Sequence, residues 1–162
     1  MSTRVSGSGT ARSPVQIGAL VVGLTFLLVG VLGFIPGITT DYSSLEWAGH
    51  HSQAQLFGIF TVSVLHNIVH LLFGFAGILA AAAAASARTF LIGGGLIYLA
   101  LWLYGLFVDE HSDANFVPLN DADNWLHLGL GLGLGLGLGM IVLGLALPRT
   151  LPTERPITGR TQ

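Results

Sequence analysis

The charged residues of this chain are divided unequally around four apolar segments. All six cationic residues are arginines, and they lie before the first segment, between the second and the third, and after the fourth: Arg4, Arg12, Arg88, Arg149, Arg155 and Arg160. Seven of the eight carboxylates lie in the two remaining connections, whereas Glu154 follows the fourth segment. Cationic residues beside short membrane loops are retained in the cytoplasm. The division therefore predicts four crossings with both termini inside.

The composition agrees with a location in lipid. Apolar residues make up 52% of the 162 residues, charged residues only 9%, and the mean hydropathy is +0.74. Four helices of about 20 residues would use roughly half the chain and leave no room for a separate soluble domain. We therefore predict an all-α fold, an integral membrane four-helix bundle with N-in and C-in topology, in the inner (plasma) membrane. The arginines are scattered, so nucleic acid is not an expected partner.

Turn-forming residues bound the four predicted helices. Pro36-Gly37 would end the first helix, a tight turn near Ser86 would separate the second from the third, and Pro148 would end the fourth. The predicted helices span residues 15–35, 55–86, 89–108 and 125–147. The polar segments 1–14 and 148–162 are predicted to be flexible cytoplasmic tails, because they contain too little apolar surface to pack.

Leucine and glycine alternate strictly from Leu128 to Gly139. A lone strand cannot cross a bilayer, so this glycine ladder is interpreted as a helix with small residues on two faces. The helix-packing residues predicted from it are Gly129, Gly131, Gly133, Gly135, Gly137 and Gly139, and Gly74 and Gly77 are added from the second helix. The alternative interpretation is low-complexity drift, in which the register of the ladder is unimportant.

Polar and small residues share one face of the second predicted helix. On a helical wheel this face carries Ser63, His66, Asn67, His70, Gly74 and Gly77. The simplest interpretation is that the histidines are neutral and join helices through hydrogen bonds to Asn67 or to backbone. The alternative is a metal site or a b-type haem site formed by His66, His70 and His127, since imidazoles one turn apart can bind one metal. A proton or small-molecule pathway is a further alternative.

The remaining chemistry-bearing residues form no recognisable catalytic motif. The absence of cysteine excludes disulfides, thiolate metal sites and cysteine nucleophiles. The sequence also contains no recognisable Ser-His-Asp arrangement and no recognisable phosphate-binding loop. The outer connections carry His50, His51, His111 and seven acids, which could bind a divalent cation weakly. A solvated acidic face explains the same residues more simply, because no ligand spacing stands out.

Two stretches resemble a known family. Residues 55–74 read QLFGIFTVSVLHNIVHLLFG, and residues 115–129 read NFVPLNDADNWLHLG. Together they resemble the bacterial membrane proteins of the domain-of-unknown-function 4383 family, and the resemblance covers roughly residues 15–147. It implies a four-helix integral membrane fold and no particular reaction.

The sequence thus favours a structural or partner-binding membrane component with no catalytic residues and no cofactor. Its expected partners are the lipid bilayer and either a second copy of the chain or other membrane proteins. The first alternative is a small redox or metal-handling protein that uses His66, His70 and His127 with a divalent metal or a b-type haem. The second is a small transporter or channel subunit, which is disfavoured because no predicted span carries an Asp, Glu or Arg.

Overall fold

The fold is mostly helical, as the sequence predicted. The computed structural model of the chain describes residues 11–132 and 145–146, with the side chains of 128–132 left out. Its four main helices are α1 (Pro14–Leu32), α2 (Val64–Ala80), α3 (Ala84–Phe107) and α4 (Asp121–Leu132). Two of them, α1 and α3, are long and apolar enough to cross a membrane.

The connection between α1 and α2 forms a small sheet that the sequence analysis did not predict. It contains β1 (Thr39–Thr40), β2 (Gln55–Leu56) and β3 (Phe60–Thr61), paired antiparallel in the order β1-β2-β3. Thr39 lies opposite Leu56, and Leu56 lies opposite Phe60. A short 3₁₀ turn at Tyr42–Ser44 lies between β1 and β2.

The second helix is shorter at both ends than the predicted 55–86. Phe57 and Gly58 have φ angles of 56° and 68°, which reverse the chain between β2 and β3 instead of starting a helix. The helix begins after Ser63, whose hydroxyl accepts a hydrogen bond from the amide of His66 at 3.1 Å. A serine cap and a chain reversal therefore override the apolar pattern of residues 55–62.

The alanine run also breaks earlier than predicted. Residues 81–83 form a turn, so the third helix begins at Ala84 instead of residue 89. Gln16 donates from Nε2 to the carbonyls of Ala81 at 3.0 Å and Ala82 at 3.1 Å, and the Ser86 hydroxyl donates to Ala80 at 2.8 Å. Side-chain donors thus bond to carbonyls that would accept from backbone amides in a continuous helix. The helix therefore breaks here even though alanine has the highest helix propensity.

The other two helices differ from prediction at their ends. Helix α1 ends at Leu32 instead of residue 35, and the chain turns before it reaches Pro36. Helix α4 begins at Asp121 instead of residue 125, because Asn120 and Asp123 cap its first turn. The Asn120 side chain accepts from the amide of Asp123 at 2.9 Å, and the Asp123 carboxylate accepts from the amide of Asn120 at 3.1 Å.

Helices α1 and α2 pack with their backbones in close contact. A Cβ atom added to Gly74 would lie 2.5 Å from the amide nitrogen of Leu27 and 2.7 Å from the carbonyl oxygen of Gly23. One added to Gly77 would lie 2.8 Å from the Cα atom of Gly23. Only glycine therefore fits at these positions. Beside this contact a small apolar core joins α1, the turn at 81–83 and α3 through Val15, Ala19, Val22, Phe26, Ala81, Ala87 and Leu91.

The glycine ladder is only partly covered by the described residues. The backbone of Gly129 and Gly131 belongs to α4, but the surroundings of their Cα atoms, and residues 133–139 altogether, lie outside the description. The packing role of the ladder remains a prediction.

We expect Gly74→Ala to lower the free energy of unfolding by about 2 kcal/mol or more, because the new methyl group collides with the α1 backbone. Gly93→Ala is the matched control, since a Cβ atom there meets no atom of the described residues within 4 Å and a helical alanine is favoured over glycine by about 0.5–1 kcal/mol. Thermal unfolding in detergent measures both. Equal midpoints for the two variants would contradict the close contact.

Candidate functional site

The two histidines of α2 contact each other directly. Their Nε2 atoms are 3.0 Å apart, and the ring centroids of His66 and His70 are 4.4 Å apart with the planes at 89°. The ring of His70 also packs edge-on against Phe26 of α1, with centroids 5.3 Å apart. The sequence analysis placed them one turn apart on one helix face but did not predict a direct contact, which is possible because residues four apart on a helix are neighbours.

The contact between the two Nε2 atoms is a hydrogen bond, and it determines which of the other ring nitrogens of His66 and His70 carry protons. A ring protonated on both nitrogens has no lone pair, so at least one of the two rings has a bare Nε2. With both rings neutral, the donor ring keeps a bare Nδ1 and the acceptor ring carries its proton on Nδ1. Both Nδ1 atoms are buried, and no described residue bonds to either of them. The pair therefore offers one free acceptor and one free donor.

A cavity of about 160 Å³ lies beside the pair, between α2 and α3. Its walls are mostly apolar and include four aromatic rings, those of Phe26, Phe73, Tyr98 and Phe116. His66 and His70 supply its polar wall together with Ser63. Sequence analysis identified the histidines but not the cavity, because the aromatic residues come from three different elements and the connection before α4.

The third predicted ligand packs against α3 and does not line the cavity. His127 packs against Tyr98 of α3 with ring centroids 5.2 Å apart, and its own Nδ1 is buried without a partner among the described residues. Tyr98 lines the cavity, whereas His127 does not. Within the described part of the chain, the trio with ligand atoms inside 4.8 Å of one another is His50, His51 and Asp113. A metal site formed by His66, His70 and His127 remains a prediction.

The expected link from the histidines to Asn67 is replaced by their mutual bond. Asn67 is fully buried and faces the end of α1, where a Cβ atom on Gly33 would collide with its amide group. Its Nδ2 atom has no partner among the described residues. Asn67 therefore fills the space beside Gly33 instead of orienting an imidazole.

The two long connections pack together into one polar layer, which we call the cap (residues 36–63 and 108–120). The amide of Gly49 donates to the carbonyl of Phe116 at 2.9 Å. The Asn120 side chain donates to the carbonyl of Ile59 at 2.8 Å. His50, His51 and Asp113 lie together in this layer, and the latter two side chains are exposed. The cap covers one end of the helices and contributes Phe116, Val117 and Pro118 to the cavity wall.

Asp123 joins the cap to α4. Its carboxylate accepts from the amides of Thr61 at 3.0 Å and Asn120 at 3.1 Å, and the residue is 3% exposed. Asp123 precedes the predicted span 125–147. Burial raises its pKa to about 7, although the two amide bonds favour the charged form. Sequence analysis placed this residue among solvated loop acids, and the Asn-x-x-Asp spacing before the fourth helix was the signal it missed.

The raised pKa makes stability depend on pH. The folded state binds the Asp123 proton more tightly than the unfolded chain, whose carboxyl has a pKa of 3.8. The contribution is therefore fully present below pH 3.8 and is lost as the pH rises through about 7. We expect the contribution of Asp123 to the unfolding free energy to fall by roughly a few kcal/mol over this range.

Between pH 4 and pH 8, the thermal midpoint of the parent should therefore fall relative to that of Asp123→Asn, which lacks the titrating carboxyl. Asp121→Asn is the matched control, because Asp121 is exposed in the same helical turn. Identical slopes in the parent and in Asp123→Asn would contradict the assignment.

The chain was also compared with known proteins. No match was found among curated proteins, and none was found among solved structures. A family model described as "Domain of unknown function (DUF4383)" matches residues 16–146, which is most of the chain and includes the histidine pair, the cap and Asp123. The resemblance inferred from residues 55–74 and 115–129 is thereby confirmed, and the chain belongs to the DUF4383 family.

Proposed function

We propose that the protein is a multi-pass component of the inner (plasma) membrane with four spans and both termini in the cytoplasm, and that its role is structural or partner-binding. The observation that carries this proposal is the outward orientation of large apolar side chains on three helices. Those at least 48% exposed include Ile17, Val21, Leu24, Leu28 and Val31 on α1, Val69, Leu72, Phe75 and Leu79 on α2, and Leu96, Ile97 and Phe107 on α3.

The inner faces show the opposite composition. Gly23, Gly74 and Gly77 lie at the α1–α2 contact, and the buried polar residue Asn67 lies against Gly33 at the end of α1. Helices packed in lipid are expected to have small and polar residues on their inner faces and large apolar residues on their outer faces. The most apolar stretches of α1 and α3 are only 33% and 22% buried, whereas a core helix of a soluble protein is mostly buried.

The outward faces also support a partner-binding role. Monomeric soluble proteins rarely expose contiguous apolar surface of this kind, so these faces need lipid, a second copy of the chain or another membrane protein to cover them. Helix α2 has 17 residues, fewer than the usual span, and the cap lies directly above its N-terminus. The cap then occupies the outer surface of the membrane, where the arginine distribution places both long connections.

A metal-binding function is the second candidate, and the 3.0 Å separation of the His66 and His70 Nε2 atoms favours it. Two imidazoles on one side of a helix can occupy neighbouring positions around one divalent ion, as in zinc sites with Zn–N distances of about 2.0–2.1 Å. A b-type haem fits less well, because paired axial histidines must approach the iron from opposite sides. His127 would have to supply the opposite ligand, and in the present arrangement it packs on Tyr98.

Cysteine labelling tests the topology, and the chain offers a clean background because it contains no cysteine. Cysteines introduced at Ser44 and Ser112 should react with a membrane-impermeant thiol reagent added to intact cells, since both positions lie in the cap. A cysteine at Ser86, in the first turn of α3, should react only after the membrane is permeabilised. Labelling at Ser86 from outside would overturn the proposed orientation.

Metal analysis tests the second candidate. In the structural interpretation, the purified protein contains no stoichiometric metal and no haem absorption band, and His66→Gln and His70→Gln remain folded because glutamine keeps a donor and an acceptor. Stoichiometric metal in the parent that is lost in either variant, with the thermal midpoint unchanged, would replace the structural assignment by the metal-binding one.

A further inference from the structure

The cap brings three metal-ligating side chains together from its two connections. The ligand atoms of His50, His51 and Asp113 all lie within 4.8 Å of one another. The two imidazole rings lie side by side, with centroids 4.0 Å apart and planes inclined at 40°. The histidines belong to the first connection and Asp113 to the second, so only the fold joins the carboxylate to the imidazoles. For this reason the sequence analysis found no ligand spacing among these residues.

Hydrogen bonds hold the backbone beneath the two histidines. The amide of Gly49 donates to the carbonyl of Phe116 at 2.9 Å, and this bond joins the two connections beside the trio. The amide of Ser52 donates back to the carbonyl of Gly49 at 3.2 Å, which closes a turn around the histidines. The buried hydroxyl of Ser52 donates to the carbonyl of Val62 at 2.6 Å and attaches this turn to the chain just before α2.

The turn that carries the carboxylate is held in a similar way. Asn115 is 1% exposed, and its side chain donates to the carbonyls of Glu110 at 2.8 Å and Leu119 at 3.2 Å. The side chains of His51 and Asp113 are nevertheless exposed. Ligand atoms around one zinc ion lie roughly 3.3 Å apart, so the trio must close by as much as about 1.5 Å. Exposed side chains can make this movement by rotation between staggered rotamers.

The charge of the cap favours a cation beside Asp113. The cap contains neither lysine nor arginine, and its carboxylates are Asp41, Glu46, Asp109, Glu110 and Asp113. No permanently positive side chain of the cap can therefore neutralise Asp113, whereas a divalent ion can. Two imidazole nitrogens and one carboxylate oxygen suit zinc and copper ions better than magnesium or calcium ions, which prefer oxygen ligands.

We propose that His50, His51 and Asp113 bind one divalent transition-metal ion of the zinc type, with a fourth coordination position open to water. The bound ion links the two connections and stabilises the cap. An exposed site with three protein ligands binds more weakly than a closed four-ligand zinc site and exchanges its ion readily, so purification without added metal empties it. The proposed topology places the site outside the cell, but binding itself does not depend on the topology.

Zinc titration of the full-length protein in detergent tests the proposal, after treatment with a chelator and removal of the chelator. We expect one zinc ion per chain, with a dissociation constant on the order of micromolar, and no displacement by millimolar magnesium. His51→Ala and Asp113→Asn should each weaken zinc binding by about tenfold or more, since even the outer-shell partners of a metal typically contribute about 10–100-fold. Both side chains are exposed, so the variants should fold as the parent does.

His111→Ala is the matched control. His111 is an exposed histidine whose Nδ1 atom lies 3.7 Å from the Asp109 carboxylate, but it is not a member of the trio. This variant should bind zinc as the parent does. Zinc should raise the thermal midpoints of the parent and of His111→Ala but not that of Asp113→Asn.

The absence of zinc binding in the parent, or equal affinities in the parent, His51→Ala and Asp113→Asn, would overturn the proposal. Zinc binding that is lost in His66→Gln and retained in Asp113→Asn would also refute it, because the ion would then lie at the histidine pair of α2.

Discussion

The glycine contact between α1 and α2 is the constraint on which the rest of the structure depends. Gly23 and Gly74 bring the two backbones closer than any side chain would allow, so the helices are held in one register. That register places Phe26 of α1 against His70 of α2 and brings Gln16 to the turn at 81–83. It therefore determines one wall of the cavity and also the point at which α3 begins. Close packing of small residues is a common way to hold helices together where burial of apolar surface gains nothing.

The cap gives the helical part a second attachment. Backbone groups of the two connections bond to each other and to the side chains of Asn120 and Asp123, which also begin α4. Burial in this junction raises the pKa of Asp123. A carboxylate that receives two amide bonds has its geometry fixed, so the start of α4 is held against β3. Tyr98 and His127 meet close to this junction.

The histidine pair shows the limit of reading a site from spacing alone. The spacing placed His66 and His70 one turn apart on the same face of the helix. It did not reveal that they would bond to each other and leave two nitrogens free, nor that four aromatic residues would surround a cavity beside them. The sequence analysis grouped His127 with them, but the packing of His127 on Tyr98 depends on where α3 lies.

The sequence by itself determined the properties that depend on local chemistry. Apolar segment lengths and the arginine distribution predicted a mostly helical chain, and residues 55–74 and 115–129 were enough to assign the family. Tertiary structure decided where α2 ends and where it begins, because the turn at 81–83 bonds to Gln16 and the amide of Phe57 bonds to the carbonyl of Ile38. The early start of α4 depends instead on the local bonds between Asn120 and Asp123. Tertiary structure also decided the site. A cavity is formed by residues distant in sequence, and no periodicity within one segment records which neighbours its side chains will meet.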